Sequence, residues 1–247
     1  MLELIHEVFD PLPRQGPGDD GSTRRALECM TGLPERPRIL DIGCGSGAQT
    51  AALARLTRGE ITALDNHAPY FEVVRARAAQ AKAADRVRCV EGDMAALDFD
   101  EGAFDAIWSE GAIYTMGFEK GLREWCRLLR PRGYLAVTEI SWLRDDPSEK
   151  SVRFFESEYP AMTDVATNRA MVEACGYQLV EQFTLPESSW WDDFYHPLEK
   201  RVRLLRAERA GDLEMQQFLD SVQEEIELYR RHSEDYGYVF FVARWRD

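Results

Sequence analysis

The sequence predicts an α/β domain with a doubly wound, mostly parallel sheet, and three observations carry that expectation. Short apolar runs of strand character alternate with amphipathic stretches of helical period from about residue 38 to residue 140, the pattern of parallel strands covered by helices on both faces. The run Arg38–Ile42 passes directly into a glycine-rich turn and then an Ala/Leu-rich stretch, a strand, turn and helix unit. Finally, 247 residues with 45% hydrophobic content suit one large domain with insertions better than two.

In chain order, MLELIHEVFD reads as a short leading helix, and the Pro- and Gly-rich residues 11–21 as a loop. Ser22 or Thr23 can cap a helix reaching about Gly32. A strand at 38–42 and a helix to about Thr57 follow, then a strand at 60–65, a helix at 69–83, and strands at 86–91 and 103–109. A helix at 118–129 ends in Arg-Pro-Arg-Gly at 130–133, which turns into a strand at 133–140. A helix at 164–175 stops at Gly176 before the strand YQLVEQFTL, and residues 236–245 form the last strand. Behind a cap at Asp212, Met215, Phe218, Leu219, Val222, Ile226 and Tyr229 recur at helical spacing. The expected organisation is a single domain over 1–247, with a core at about 22–141 plus 170–247 and cap elements at 1–21, 141–168 and 186–232.

Charge and composition narrow the partners. A net charge of −14 disfavours nucleic acid, whose phosphates call for clustered Lys and Arg. The N-terminus carries acids where a signal peptide carries bases, and no apolar run approaches the ~20 residues that span a bilayer, so the cytoplasm is the expected location. Cys29, Cys44, Cys89, Cys126 and Cys175 are scattered, and His6, His67, His196 and His232 lack metal-ligand spacing. No metal is implied.

The strongest local signal is Ile39-Leu-Asp-Ile-Gly-Cys-Gly-Ser-Gly47, in which Gly43, Gly45 and Gly47, with Cys44 among them, let backbone turn sharply and approach a ligand. With Ala48 the stretch also satisfies G-x-G-x-x-A, so a dinucleotide site competes with a sulfonium one. Asp41, two positions before the first glycine, suits a ligand with an ammonium and no pyrophosphate. Asp65 ends the second strand, where a carboxylate can accept both ribose hydroxyls, with Asn66 beside it to cover a base; Asp93 can accept from an adenine amino group and Met94 can close the ring's other face. Singly, each acid also reads as a solvated loop residue or helix cap.

The stretches DIGCGSG, LDN, EGDM and LLRPRGYLAVTE resemble the class I S-adenosylmethionine-dependent methyltransferases, in particular the ubiquinone/menaquinone-biosynthesis-like group, and RQGPG, WSEGAIYTMGFEKGL and EDYGYVFFVA resemble a bacterial subgroup of it. The resemblance implies a seven-stranded sheet with its last strand antiparallel, S-adenosylmethionine as donor and S-adenosylhomocysteine as product. Transfer is then an in-line displacement governed by alignment. Glu110, Tyr114 and Glu139 end the fourth and fifth strands and are candidates for contacting donor or acceptor, Glu110 and Glu139 equally being structural acids. Trp190, Trp191, Phe194, Tyr195 and His196 can form an aromatic acceptor pocket with His196 as base, or a cap with an exposed histidine. Arg14 and Gln15 can fold over the donor carboxylate. The expected acceptor is a small molecule, and the enzyme a monomer or homodimer. Competing readings are a noncatalytic S-adenosylmethionine-binding module, an aminopropyltransferase, and a nicotinamide oxidoreductase, the last lacking a Tyr-x-x-x-Lys pair.

Overall fold

Strands β1 (Arg38–Ile42), β2 (Glu60–Asp65) and β4 (Phe104–Ser109) are buried at nearly every position, as strands covered on both faces must be. A computed structural model describes residues 2–246; Met1 and Asp247, the ends of the expected domain, lie outside them. With β3 (Val87–Glu91), β5 (Leu129–Trp142), β7 (Tyr177–Thr184) and β8 (Tyr236–Trp245), the strands form a sheet of order β3-β2-β1-β4-β5-β8-β7, and the two-residue β6 (Thr163–Asp164) pairs with the end of β5. Only β8 runs antiparallel to its neighbours β5 and β7. The order reverses at β1, so the carboxyl ends of β1, β2 and β4 open onto a crevice.

Helices α3 (Ala48–Leu56), α4 (Tyr70–Gln80), α5 (Phe118–Trp125) and α7 (Val165–Ala174) cover the sheet, with separate apolar clusters on its two faces. Among the boundaries that differ from expectation, two have a clear physical cause. Helix α2 (Asp20–Glu28) starts earlier because Asp19, and neither Ser22 nor Thr23, caps it, accepting from the Ser22 amide at 2.8 Å. Strand β5 begins at Leu129, which pairs with Phe104; the Arg-Pro-Arg-Gly segment is a bulge inside the strand, with Arg132 at φ 63°.

The cap is richer than the periodicity indicates. α1 (Leu2–Phe9), α6 (Glu149–Glu158), α8 (Ser188–Trp190), a π-helical turn over Trp191–Tyr195, α9 (His196–Glu208) and α10 (Leu213–His232) share a third apolar cluster built around Val8, Trp190, Leu198, Leu219 and Ile226. Asp212 caps α10 as expected, accepting from the Met215 amide at 3.1 Å. Among the described residues no helix is long and apolar enough to cross a membrane.

Candidate active site

The glycine loop between β1 and α3 is tied down on every side. The Gly43 and Cys44 amides donate to the Leu64 carbonyl at 2.9 and 3.0 Å, Gly45 to Asp65 Oδ2 at 2.8 Å, and Ser46 to Gln15 Oε1 at 2.8 Å. Gly43 sits at φ 68°, and a Cβ there would stand 2.4 Å from the Ala112 Cβ, so only glycine fits. The Cys44 side chain points away from the loop surface into a small core with Ala63, Phe71 and Val74.

The acids at the strand ends have divided roles. Asp41 is fully buried and binds Thr50 Oγ1 at 2.5 Å and Gln49 Nε2 at 3.3 Å; burial pushes its pKa up to about 7, against these hydrogen bonds. It bolts β1 to α3 and presents no carboxylate to an ammonium, which corrects the expectation from its position. Asp65 accepts the Gly45 amide and, at Oδ1, the His67 amide at 3.0 Å, leaving further lone pairs. Asn66 and Asp93 are exposed at the ends of β2 and β3, and Asp93 Oδ1 accepts from the Ala95 amide. Half-buried Met94 is steadied by the Thr115 hydroxyl at its sulfur and the Trp125 indole at its carbonyl.

Glu110 is buried beneath an N-terminal strap. Its Oε1 accepts from Thr23 Oγ1 at 2.7 Å and Trp108 Nε1 at 2.8 Å, while Oε2 has no hydrogen-bond partner and lies 3.6 Å from Arg14 Nη1. Burial raises the Glu110 pKa, and the Arg14 guanidinium opposes it. The strap is anchored by Gln15 on the loop, by Arg77 on the Pro13 carbonyl, and by the Ser189 hydroxyl on Asp19. Farther along, Asp10 receives both His6 and His67, whose rings stack at 3.5 Å with planes 9° apart. These three offer metal-capable atoms within 4.8 Å of one another. Nearly parallel rings, however, cannot aim their in-plane lone pairs at one ion, so the cluster is a clasp closing α1 onto the β2 end.

Beside the strap lies a cavity of about 1140 Å³ that Gln15, Gly16, Gly111 and Tyr114 border on the sheet side and α6, α8 and α10 on the other.

Residues 39–133 match the model of a family described as a methyltransferase domain. The chain therefore carries a methyltransferase domain. The chain is similar to a sterol 24-C-methyltransferase of Kluyveromyces lactis, 26% identical over 70% of this chain and 48% of that protein. It is also 29% identical to methyltransferase GfsG of Streptomyces halstedii, over 73% of this chain and 66% of that one. The chain thus spans about half the length of the sterol enzymes it matches. A Geobacter sulfurreducens methyltransferase solved with S-adenosylhomocysteine superposes with a TM-score of 0.82 at 20% identity, covering 98% of this chain and 97% of that one, which establishes the fold.

Gly43, Gly45, Asp65, Arg14, Gln15 and Glu110 converge at the carboxyl ends of β1, β2 and β4. Tyr114 lines the cavity, with 39% of its surface exposed. The aromatic motif divides: Trp190, Phe194 and Tyr195 face the cavity, whereas the π-helical turn leaves Trp191 and His196 off the lining, His196 exposed and packed on Trp191 at 5.2 Å. A base at His196 is therefore excluded by geometry. Sequence reasoning missed Tyr159 and Glu225, which join the cavity from α6's end and α10. Glu225 was detectable as a carboxylate inside the stripe of Val222, Ile226 and Tyr229.

Proposed function

We propose that the chain transfers a methyl group from S-adenosylmethionine to a small-molecule acceptor held in the aromatic cavity. The observation that carries this reading is Gln15, which bonds the glycine-loop amide of Ser46 and also borders the cavity, so the loop and the cavity adjoin across a single strap.

The residues fit such a donor. Glu110 Oε2, buried and unpartnered beside Arg14, offers an acceptor for an α-ammonium next to a cation for an α-carboxylate. Asp65 keeps lone pairs for a ribose diol, and Asn66, Asp93 and Met94 stand at the neighbouring strand ends to hold adenine. Gly43, Gly45 and Gly47 give close backbone approach, to which Cys44 adds only main chain. When bound, the donor supplies an electrophilic methyl group on a sulfonium. The chain's own contribution is alignment and exclusion of water: the strap seals the loop, and Tyr114 beside Gly111 positions the acceptor. Glu110, shut beneath the strap, belongs to donor binding and not to proton transfer. The same proposal includes a cytoplasmic monomer or homodimer without nucleic-acid or membrane partners, consistent with the charge of −14 and open to sedimentation and fractionation.

The test is calorimetric titration with S-adenosylmethionine, S-adenosylhomocysteine and NADH. Binding of the two adenosyl ligands and not of NADH is expected; binding of NADH alone defeats the proposal.

A further inference from the structure

One carboxyl lines the cavity between aromatic rings, and a second lies directly behind its wall. Glu225 on α10 lines it, its Oε1 accepting from the Tyr195 hydroxyl at 2.9 Å. Glu139, 2% exposed near the end of β5, accepts at Oε1 from the hydroxyl of cavity-lining Tyr159 at 2.7 Å, and its Oε2 is buried with no partner. No cation faces either carboxyl among the described residues. The cations of the lining, Lys150, Arg153 and Arg231, stand at exposed positions on α6 and α10, where Arg153 and Arg231 are paired with Glu149 and Glu227.

A buried carboxylate without a counter-ion is costly, and burial holds both acids toward the neutral form, Glu139 with a pKa of about 8. Core packing gains nothing from such groups. Around them the Tyr114 and Tyr159 rings meet edge to face at 5.8 Å, and the Tyr236 hydroxyl, 1% exposed, also lacks a partner. Aromatic faces and unpaired carboxyls share one complement, a desolvated organic cation.

We propose that the acceptor is an organic amine that enters as an ammonium and is held by Glu225 and the Tyr114–Tyr159 pair, with Glu139 behind Tyr159. The inference rests on the methyltransferase reading and names its substrate class. The incoming cation favours ionised Glu139, so binding releases a proton to solvent. The Tyr159 hydroxyl then takes the ammonium proton as the N–H bond breaks and passes its own proton to Oε1 of ionised Glu139, and the freed nitrogen pair forms the N–C bond. The broken C–S bond leaves its electrons on sulfur, and the positive charge ends on the methylated nitrogen.

Calorimetry with S-adenosylhomocysteine present tests this with benzyltrimethylammonium and its uncharged carbon isostere, neopentylbenzene. The ammonium should bind at least about tenfold tighter. Glu225→Gln and Glu139→Gln should each erase most of that preference while S-adenosylhomocysteine and the isostere bind as before, which shows the variants folded. Equal affinities, variants that keep the preference, or failure of both probes on protein that binds S-adenosylhomocysteine overturns the amine assignment and leaves the donor reading standing. Wild-type protein that does not bind S-adenosylhomocysteine refutes the donor reading and this inference with it.

Discussion

Asp65 holds the glycine loop through two backbone amides, Gly45 at 2.8 Å and His67 at 3.0 Å, and is also the residue proposed to hold the donor ribose. Alanine cannot separate these roles. It strips both amides of their acceptor, at ~1–3 kcal/mol each where water does not replace it. At ~2–4 °C per kcal/mol for a chain of this size, Asp65→Ala should melt ~4–24 °C below wild type. Asparagine keeps a carbonyl oxygen for Gly45 but turns an amide donor toward the His67 N–H, a loss of about 1–2 kcal/mol. For the ligand it exchanges a charged acceptor for a neutral one, which is worth ~1.5–3 kcal/mol, or roughly 10- to 100-fold in affinity. Calorimetry of both variants, with S-adenosylhomocysteine titrations of Asp65→Asn below its melting point, reads the two effects apart. Asparagine with wild-type affinity refutes the ribose contact, and alanine melting within about a degree of wild type refutes the structural role.

Three further outcomes follow from particular contacts. Gly43→Ala combines a left-handed backbone with a Cβ 2.4 Å from Ala112, so urea unfolding should show it about 2–4 kcal/mol less stable. Asp41 rises from 3.8 in the unfolded chain to about 7 when buried, so the native state keeps a proton that the unfolded chain sheds. Its contribution therefore declines as pH rises through that window, by roughly 4 kcal/mol in all, and Asp41→Asn should lose less stability than wild type between pH 5 and pH 8 in urea titrations. Asp10→Ala releases His6 and His67 from the clasp, and limited trypsin digestion should cleave after Arg14 faster while the global unfolding midpoint changes little.

Strands β1, β2 and β4 were legible because they are short apolar runs bounded by turn residues, and burial on both faces allows no polar alternation to blur them. Boundaries failed where partners outside the segment decide them. Leu129 becomes strand because Phe104 pairs with it across the sheet, although the Pro and Gly that follow read as a stop. The carboxyl-end acids were legible as a set, but their roles were not. Asp41 lies in register with Ala63, two residues short of Asp65, and Thr50 and Gln49 on α3 consume its carboxylate. His196 failed for a local reason, since the π-helical turn at 191–195 adds residues to one turn and shifts the face that an α-helical reading assigns.

Glu225, which sequence reasoning missed, and Glu139, which it left between a site acid and a structural one, share a physical signature. Glu225 interrupts an apolar helical stripe, and Glu139 sits in a strand whose other positions from Tyr134 to Ile140 are buried and uncharged. Each breaks the pattern that folds its own element, and each does so with no counter-ion to offset the cost. Folding alone gives no return on that arrangement, and places where local rules fail are where function is concentrated. The two positions lie 86 residues apart in the sequence and are joined to one cavity by tyrosines from two further segments, Tyr159 and Tyr195. No periodicity within a single element could have paired them, because the pairing exists only once the cap has closed over the end of β5.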